Sequence, residues 1–164
     1  MSSAHPETLK TPVSIRFMEE DDIPGVIVLG TMLHATTWFN KFPLVQSRLE
    51  EVLRSIIPHD LSFVATTPDH EIVGVFAGVR FKMFFTDCTQ SSDLFLYVHP
   101  NHRKGDIAPR LLETYVSVAK SLNIDNITTG QSTDYRIKVT ERFMRRQGFE
   151  TVGSSFRYTK KEIG

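Results

Sequence analysis

The sequence is short of cysteine, of net charge and of long apolar segments. Cys88 is the only cysteine among 164 residues, which excludes an internal disulfide and a zinc site built from several thiolates. Such cysteine usage is typical of a reducing compartment. Cys88 lies in a polar loop with no histidine nearby in sequence, so we do not expect a catalytic thiol.

The charge balance excludes further classes of protein. The 19 Lys and Arg residues match the 19 Asp and Glu residues, so no overall field favours nucleic acid or a membrane surface. The basic stretch 136–146 is interpreted as a solvated helix face. The N-terminus lacks the apolar segment of a signal peptide, and no apolar run approaches the ~20 residues that span a bilayer. We therefore expect a cytoplasmic protein without nucleic-acid or membrane partners.

Apolar periodicity fills most of the chain and predicts a single domain over residues 13–164, after a flexible arm at 1–12. Strands are predicted at 13–17, 61–67, 71–85, 93–100, 126–132 and 150–162. Helices are predicted at 23–33, 43–57, 107–124 and 135–149. Gly74 and Gly78 within one strand indicate bulges or a close approach by another group. The order is a strand, two helices, antiparallel strands and then βαβαβ, which indicates an α+β fold.

A basic, glycine-containing turn connects a strand that ends at Pro100 to a helix that begins near Ile107. It carries His102, Arg103, Lys104 and Gly105. The N–H groups of a helix's first turn carry partial positive charge and bind phosphates, and glycine lets the backbone come close. Taken alone, the turn fits a plain connection equally well.

In its setting this turn resembles the signature of the GNAT family, the acetyl-CoA-dependent N-acetyltransferases. The family motif is Arg/Gln-x-x-Gly-x-Gly/Ala, after a strand often ending Val-x-Pro and before a helix with a Leu-Leu pair. The matching positions are Val98-His99-Pro100, Arg103, Ala108, Leu111-Leu112 and, in a stretch that resembles the family's penultimate helix, Gly148-Phe149. The resemblance covers about residues 13–160.

The resemblance implies a mostly antiparallel sheet of six or seven strands with four helices, in which two parallel strands splay apart around the cofactor. The Leu96 N–H would then polarise the acetyl carbonyl, and Val98 would pair with pantetheine. The implied cofactor-binding residues are Leu96, Val98, Arg103, Lys104, Gly105, Asp106 and Ala108, with N–H groups of 103–108 around the pyrophosphate. The implied partners are acetyl-CoA and an amine acceptor, either a small molecule or a protein lysine, with a homodimer as an option.

The motif is altered at one position, and the residue directly after the motif also bears on phosphate binding. Asp106 replaces the middle glycine, and Gly105 lies one position earlier. The Asp106 carboxylate would repel a diphosphate, or it would cap the helix and compete for the same donors. Pro109 has no N–H, although proline suits a first helical turn.

The acid and base positions are altered too. Met144 stands where the family often has a tyrosine acid, and Ser92 where some members have a glutamate base. The remaining catalytic candidates are Asp93, Tyr97 and Tyr135. Asp93 would need a bulge to face the site, and Tyr97 also suits plain packing. Ordered water is a further alternative to a single base.

Three hypotheses follow from these residues: an active N-acetyltransferase that works by direct attack of the amine, a catalytically impaired GNAT-fold protein that binds acyl-CoA or a partner, and an unrelated α+β binding domain. The segment 36–42 would line the acceptor site or form an apolar plug. His99 and His102 straddle a proline turn, so no metal site is predicted.

Overall fold

The computed structural model describes residues 12–131 and 136–160. Its strands are β1 (Ser14–Phe17), β2 (Phe63–Thr66), β3 (Ile72–Lys82), β4 (Thr89–Val98) and β5 (Asn126–Ile127). Its helices are α1 (Ile23–Thr36), α2 (Gln46–Ile56), α3 (Ile107–Ser121) and α4 (Ile137–Arg146). Short 3-10 turns occupy Glu20–Asp22, Trp38–Lys41, Ile57–His59 and Pro100–His102. The predicted arm lies outside the described residues except for Pro12.

The five described strands form one sheet in sequence order. β1 to β4 are antiparallel, whereas β5 runs parallel to β4 with Gln90 opposite Asn126 and Ser91 opposite Ile127. The mixed α+β class, the four helices and the parallel strand pair are confirmed. The predicted six or seven strands are not, since the described residues form five.

The prediction of a last strand or hairpin over 150–162 is wrong for its described part. Residues 150–160 have no regular secondary structure, and all are exposed. Val152, Phe156 and Tyr158 alternate as in a strand, but their exposed fractions are 84%, 95% and 91%. Alternation gives only a propensity, because a stable strand also needs a hydrogen-bonded neighbour and an apolar surface to cover.

β4 begins at Thr89, four residues before the predicted start of this strand at 93. The polar composition of residues 89–92 predicts a loop, yet these residues pair with β3 and begin the strand. The Thr89 N–H donates to the Asp125 carboxylate at 2.7 Å, and the Asp125 N–H donates back to the Thr89 carbonyl at 3.0 Å. Contacts from a segment 36 residues away therefore determine where β4 begins.

Two apolar cores lie on opposite faces of the sheet, as the alternation along β2 shows. Phe63 and Ala65 belong to the core under α3, whereas Val64 between them belongs to the core under α1 and α2. The α3 core is centred on Phe76 and Tyr115, whose rings stack with centroids 4.3 Å apart. The sheet is thus covered on both faces, which leaves its β4 edge as the place for a cleft.

Both glycines of β3 lie where another group approaches closely, as predicted. A Cβ on Gly74 would be 2.9 Å from Cγ2 of Ile107 on α3, and a Cβ on Gly78 would collide with the Leu61 carbonyl oxygen. A predicted bulge is also present. Ala77 pairs with Phe95 but Gly78 pairs with Asp93, so Leu94 is an extra residue in β4. Such a bulge bends its strand and increases the local twist.

Candidate active site

The parallel strands β4 and β5 separate immediately after they meet. Their pairing ends near Ser91, whose carbonyl accepts the Thr128 N–H at 3.0 Å and the Thr128 hydroxyl at 2.7 Å. β4 continues to Val98, whereas β5 ends at Ile127. The bulge at Leu94 lies at this point of separation and turns β4 away from its neighbour.

Asp93 links β4 to the residues that follow β5, at the point where the two strands begin to separate. Its Oδ1 accepts the Thr129 hydroxyl at 2.8 Å and the Gly130 N–H at 2.9 Å. Burial raises the pKa of the Asp93 carboxyl, and these two hydrogen bonds oppose that rise. The carboxyl also borders the cleft beyond the separation. The bulge that the sequence argument required for Asp93 is therefore present, directly after it.

A second polar link, which the sequence did not reveal, lies beneath Asp93. The Tyr115 hydroxyl is 2.7 Å from the Ser91 hydroxyl and donates to the Thr128 carbonyl at 2.6 Å. Burial raises the pKa of Tyr115 to about 12, so it remains a neutral donor. Helical spacing predicts only that Tyr115 lies on the buried face of α3, and it does not show where the hydroxyl points.

A cleft of about 820 Å³ extends from this separation along the edge of β4. One wall comes from Arg136 and α4, and the other from α1, α2 and the connection between them. Several candidates from the sequence line it, together with Met144: Asp93, Leu96, Tyr97, Val98, Arg103 and Ala108. Tyr135 lies outside the described residues. Arg136, Val139, Thr140 and Phe143 also line it and were not predicted as site residues.

The backbone of Leu96 and Val98 faces the cleft. The His99 N–H donates to the Val73 carbonyl at 2.8 Å, and Tyr97 pairs with Val75, so these two residues direct their backbone groups towards β3. Successive residues of a strand point their N–H and C=O groups in opposite directions. Leu96 and Val98 therefore present theirs to the side that β5 has left.

The side chain of Arg103 is folded back against the end of β4. Its Nε donates to the Val98 carbonyl at 2.9 Å, and its guanidinium lies 5.0 Å from the Tyr97 ring centre. One of the two outward backbone groups of Val98 is thus already paired. Lys104 is exposed, and Gly105 has open space, since a Cβ there would have its nearest neighbour at 3.9 Å.

Asp106 does not cap α3. It occupies the N-cap position, but its side chain makes no capping hydrogen bond, and its carboxylate lies 3.9 Å from the Arg110 guanidinium. The first-turn N–H groups of Ile107 and Ala108 are consequently not taken by this carboxylate. Pro109 removes the third first-turn donor. Of the two roles predicted for Asp106, capping of the helix is wrong. In the other role, repulsion of a diphosphate, the Arg110 guanidinium would partly offset the negative charge of Asp106.

Tyr97 is packed rather than exposed as a catalytic group would be. It is 6% exposed and belongs to the core under α1 and α2. It nevertheless borders the cleft, so packing and lining coexist. The segment 36–42 shows the same double role: Phe39 lines the cleft, whereas Trp38 packs edge-on against Phe39 and Phe42 at 5.5 Å.

Trp38 also contacts two cations at the rim of the cleft. Lys41 Nζ lies 3.4 Å from its ring centre, and the Arg157 guanidinium lies 3.6 Å from it. Arg157 therefore reaches the connection between α1 and α2, although residues 150–160 form no strand. Within the described ranges, no cluster of three or more His, Cys, Asp or Glu side chains is arranged to hold a metal ion. None of the helices in those ranges has the length and apolarity to cross a membrane.

Comparison with known proteins gives structural matches only. No protein-family model and no curated protein sequence matches this chain. An acetyltransferase from Trypanosoma brucei has 16% identity and a TM-score of 0.70, over 91% of this chain and 100% of its own. An acetyltransferase of the GNAT family from Staphylococcus aureus has 18% identity and a TM-score of 0.63, over 90% and 98%.

A third match is an aminoglycoside 6′-N-acetyltransferase from Acinetobacter baumannii, with 16% identity and a TM-score of 0.67, over 93% of this chain and 100% of its own. All three structures are named acetyltransferases, and each match covers nearly the whole chain. Identities this low establish a shared fold and leave the reaction to be argued from the site.

Proposed function

We propose that this chain, a divergent protein with the GNAT fold, is an acetyl-CoA-dependent N-acetyltransferase that uses acetyl-CoA as co-substrate. One observation carries the proposal: the backbone of Leu96 and Val98 faces a cleft that opens beside the N-terminus of α3. Outward strand donors suit an extended amide chain, and a helix N-terminus suits a diphosphate. The pantetheine arm and the diphosphate of acetyl-CoA would thus bind side by side, along the edge of β4 and at the start of α3.

The residues divide the binding work along this edge. The Leu96 N–H is aimed to donate to the thioester carbonyl and to stabilise negative charge on its oxygen. The Val98 N–H would pair with the pantetheine arm, while its carbonyl stays with Arg103. The N–H groups from Lys104 to Ala108 would take the pyrophosphate, with the Lys104 side chain adding charge.

The reaction is a direct transfer. A C–N bond forms between the acceptor amine and the acetyl carbon, the C–S bond breaks, and the amine loses one proton as the thiolate leaves. The amine must be neutral to attack, so a group or water has to accept a proton. Asp93 is the candidate acceptor, because it borders the cleft and burial raises its pKa above the ordinary value, which makes the carboxylate a stronger base. Tyr97 and Tyr135 stay predictions for the acid.

Titration of the purified protein with acetyl-CoA tests this function. We expect micromolar binding by the wild-type protein and its loss in Gly105→Glu, which places a carboxylate in the phosphate cradle. Gly153→Glu is the matched control: it adds the same side chain at an open position in the exposed segment 150–160, and binding should persist. Equal affinity in Gly105→Glu and wild type would rule out the cradle.

A second candidate function is a GNAT-fold protein that binds acyl-CoA without turnover. It is favoured by Met144, whose thioether lines the cleft where an acid is expected, and by the folded-back Arg103. Acetyl-CoA binding without CoA release across a broad panel of amines would favour this alternative over the enzyme.

A further inference from the structure

We propose that the acceptor is a small primary amine on an apolar body, without a second positive charge. This proposal rests on the N-acetyltransferase function above and specifies the substrate class of the same cleft. It follows from the chemistry of one wall, here called the helical wall, which comprises the cleft-lining residues of α1, α2 and the connection 37–45.

The surface of the helical wall is mainly apolar. Its apolar members are Leu33, Phe39, Leu44, Val45, Leu49 and Val52. Phe95 of β4 borders the same part of the cleft, and Val45 at its rim is 56% exposed. Covering such surface is favourable in proportion to the apolar area that is removed from water. An acceptor with an apolar body would therefore gain most from this wall.

The His and Thr side chains of the helical wall are already engaged with its own backbone. Nε2 of His34 lies 2.9 Å from the Phe42 carbonyl. The Thr36 hydroxyl donates to the Leu33 carbonyl at 3.0 Å, and the Thr37 hydroxyl donates to the His34 carbonyl at 3.3 Å. The wall consequently offers few polar partners to an acceptor with many hydroxyl or amino groups.

Charge on the cleft argues against a polycation. Arg48 is the charged member of the helical wall, and its partner Glu51, at 3.1 Å, is not among the residues that line the cleft. Among the described lining residues, Asp93 is the only carboxylate, and it is already bonded to Thr129 and Gly130. A polyamine or an aminoglycoside carries several ammonium groups, each of which needs an anionic partner when it leaves water.

Acetyl transfer to 2-phenylethylamine and to spermidine tests the proposal directly. The two probes share a primary amine but differ in apolar body and in extra charge. We expect a higher kcat/KM for 2-phenylethylamine, by at least about tenfold, which corresponds to about 1.4 kcal/mol. A kcat/KM for spermidine equal to or above that for 2-phenylethylamine would overturn the proposal.

Val45→Asp sharpens the test, because it adds a carboxylate to the helical wall at the N-cap of α2, a position where Asp is favourable for the helix. The ratio of the two kcat/KM values should shift towards spermidine by about fivefold, as expected for one exposed charge pair. Val28→Asp is the matched control, since Val28 is 59% exposed on α1 and does not line the cleft. An equal shift in both variants would contradict the role of the wall.

Failure of the proposed function is distinguished by a measurement that needs no cofactor. Trp38 is the only tryptophan of the chain and adjoins the helical wall, so its fluorescence can report amine binding directly. If acetyl-CoA does not bind, the N-acetyltransferase function fails. Tighter binding of 2-phenylethylamine than of spermidine would still support the acceptor class, and the reverse order would overturn it.

Discussion

The two ends of strand β4 are held differently. From Thr89 to Ser91 the strand has partners on both edges, β3 on one side and β5 with Asp125 on the other. From Leu96 to Val98 it has β3 on one edge and the cleft on the other. The same strand thus contributes stability at its first end and recognition at its second, and the bulge at Leu94 separates the two.

The largest expected effect comes from destroying the boundary between these ends. Gly78→Val would drive a side chain into the Leu61 carbonyl, which is backbone and cannot move aside cheaply. We expect the free energy of unfolding to fall by about 3 kcal/mol or more, measured by urea denaturation. Gly153→Val, in open space, should change it by less than about 0.5 kcal/mol. A small loss in Gly78→Val would show that β3 can shift locally at the bulge.

The next effect concerns Asp93, which bonds to Thr129 and Gly130 at the boundary, and it is a change of stability with pH. Because burial raises the folded-state pKa of Asp93, the folded protein holds this proton more tightly than the unfolded chain does. The contribution of Asp93 to stability is therefore largest at low pH and falls as pH rises from its unfolded pKa through its folded pKa. Asp93→Asn removes this titration and keeps an acceptor oxygen for Thr129 and Gly130.

The difference in unfolding free energy between Asp93→Asn and wild type should consequently change in favour of the variant as pH rises above about 4, the ordinary pKa of an aspartate. Parallel stability curves across that range would show that the carboxyl titrates normally. The same variant should lose the rise in activity with pH if Asp93 accepts the proton of the amine.

The smallest effect is expected at the open end. Arg103→Ala removes the bond to the Val98 carbonyl from an exposed side chain, so stability should fall by about 1 kcal/mol or less. Acetyl-CoA affinity should change by less than about threefold, since this guanidinium points to β4 and not to the turn. Lys104→Ala is the companion variant for the same affinity measurement, since the Lys104 side chain is the one proposed to add charge at the pyrophosphate. A tenfold loss in Arg103→Ala, measured by calorimetry, would mean that Arg103 turns to the pyrophosphate on binding.

The sequence was informative where long periodic segments decide the structure. The four helices and the order of β1 to β5 follow from apolar spacing, and Gly148, two residues after the end of α4 at Arg146, suits a C-terminal glycine cap. Gly148 has φ of +90°, and the Phe149 N–H donates to the Met144 carbonyl at 3.0 Å, as expected of a glycine cap.

The sequence was uninformative where contacts between residues distant in the chain determine the local structure. The polar start of β4 needs Asp125, and residues 150–160 alternate like a strand but have no strand beside them. The positions of Leu96 and Val98 follow the motif, whereas the direction of the Arg103 side chain depends on a carbonyl that only the folded strand places nearby. Nor does sequence spacing indicate that the Tyr115 hydroxyl reaches Thr128, directly after β5.

The bulge at Leu94 also has a consequence for how sequence changes would act on the cleft. It adds one residue, about 3.3 Å of contour, to β4 without adding a rung to its ladder with β3. Outward-facing residues are odd-numbered before it, at Ser91, and even-numbered after it, at Leu96 and Val98. Leu94 has no partner in β3, so deleting it would leave every β3–β4 residue pair in place. The deletion would remove the extra length of backbone that lets β4 bend away from β5. The gap between the strands is therefore encoded in chain length as much as in residue identity, and insertions or deletions here would alter it more than substitutions.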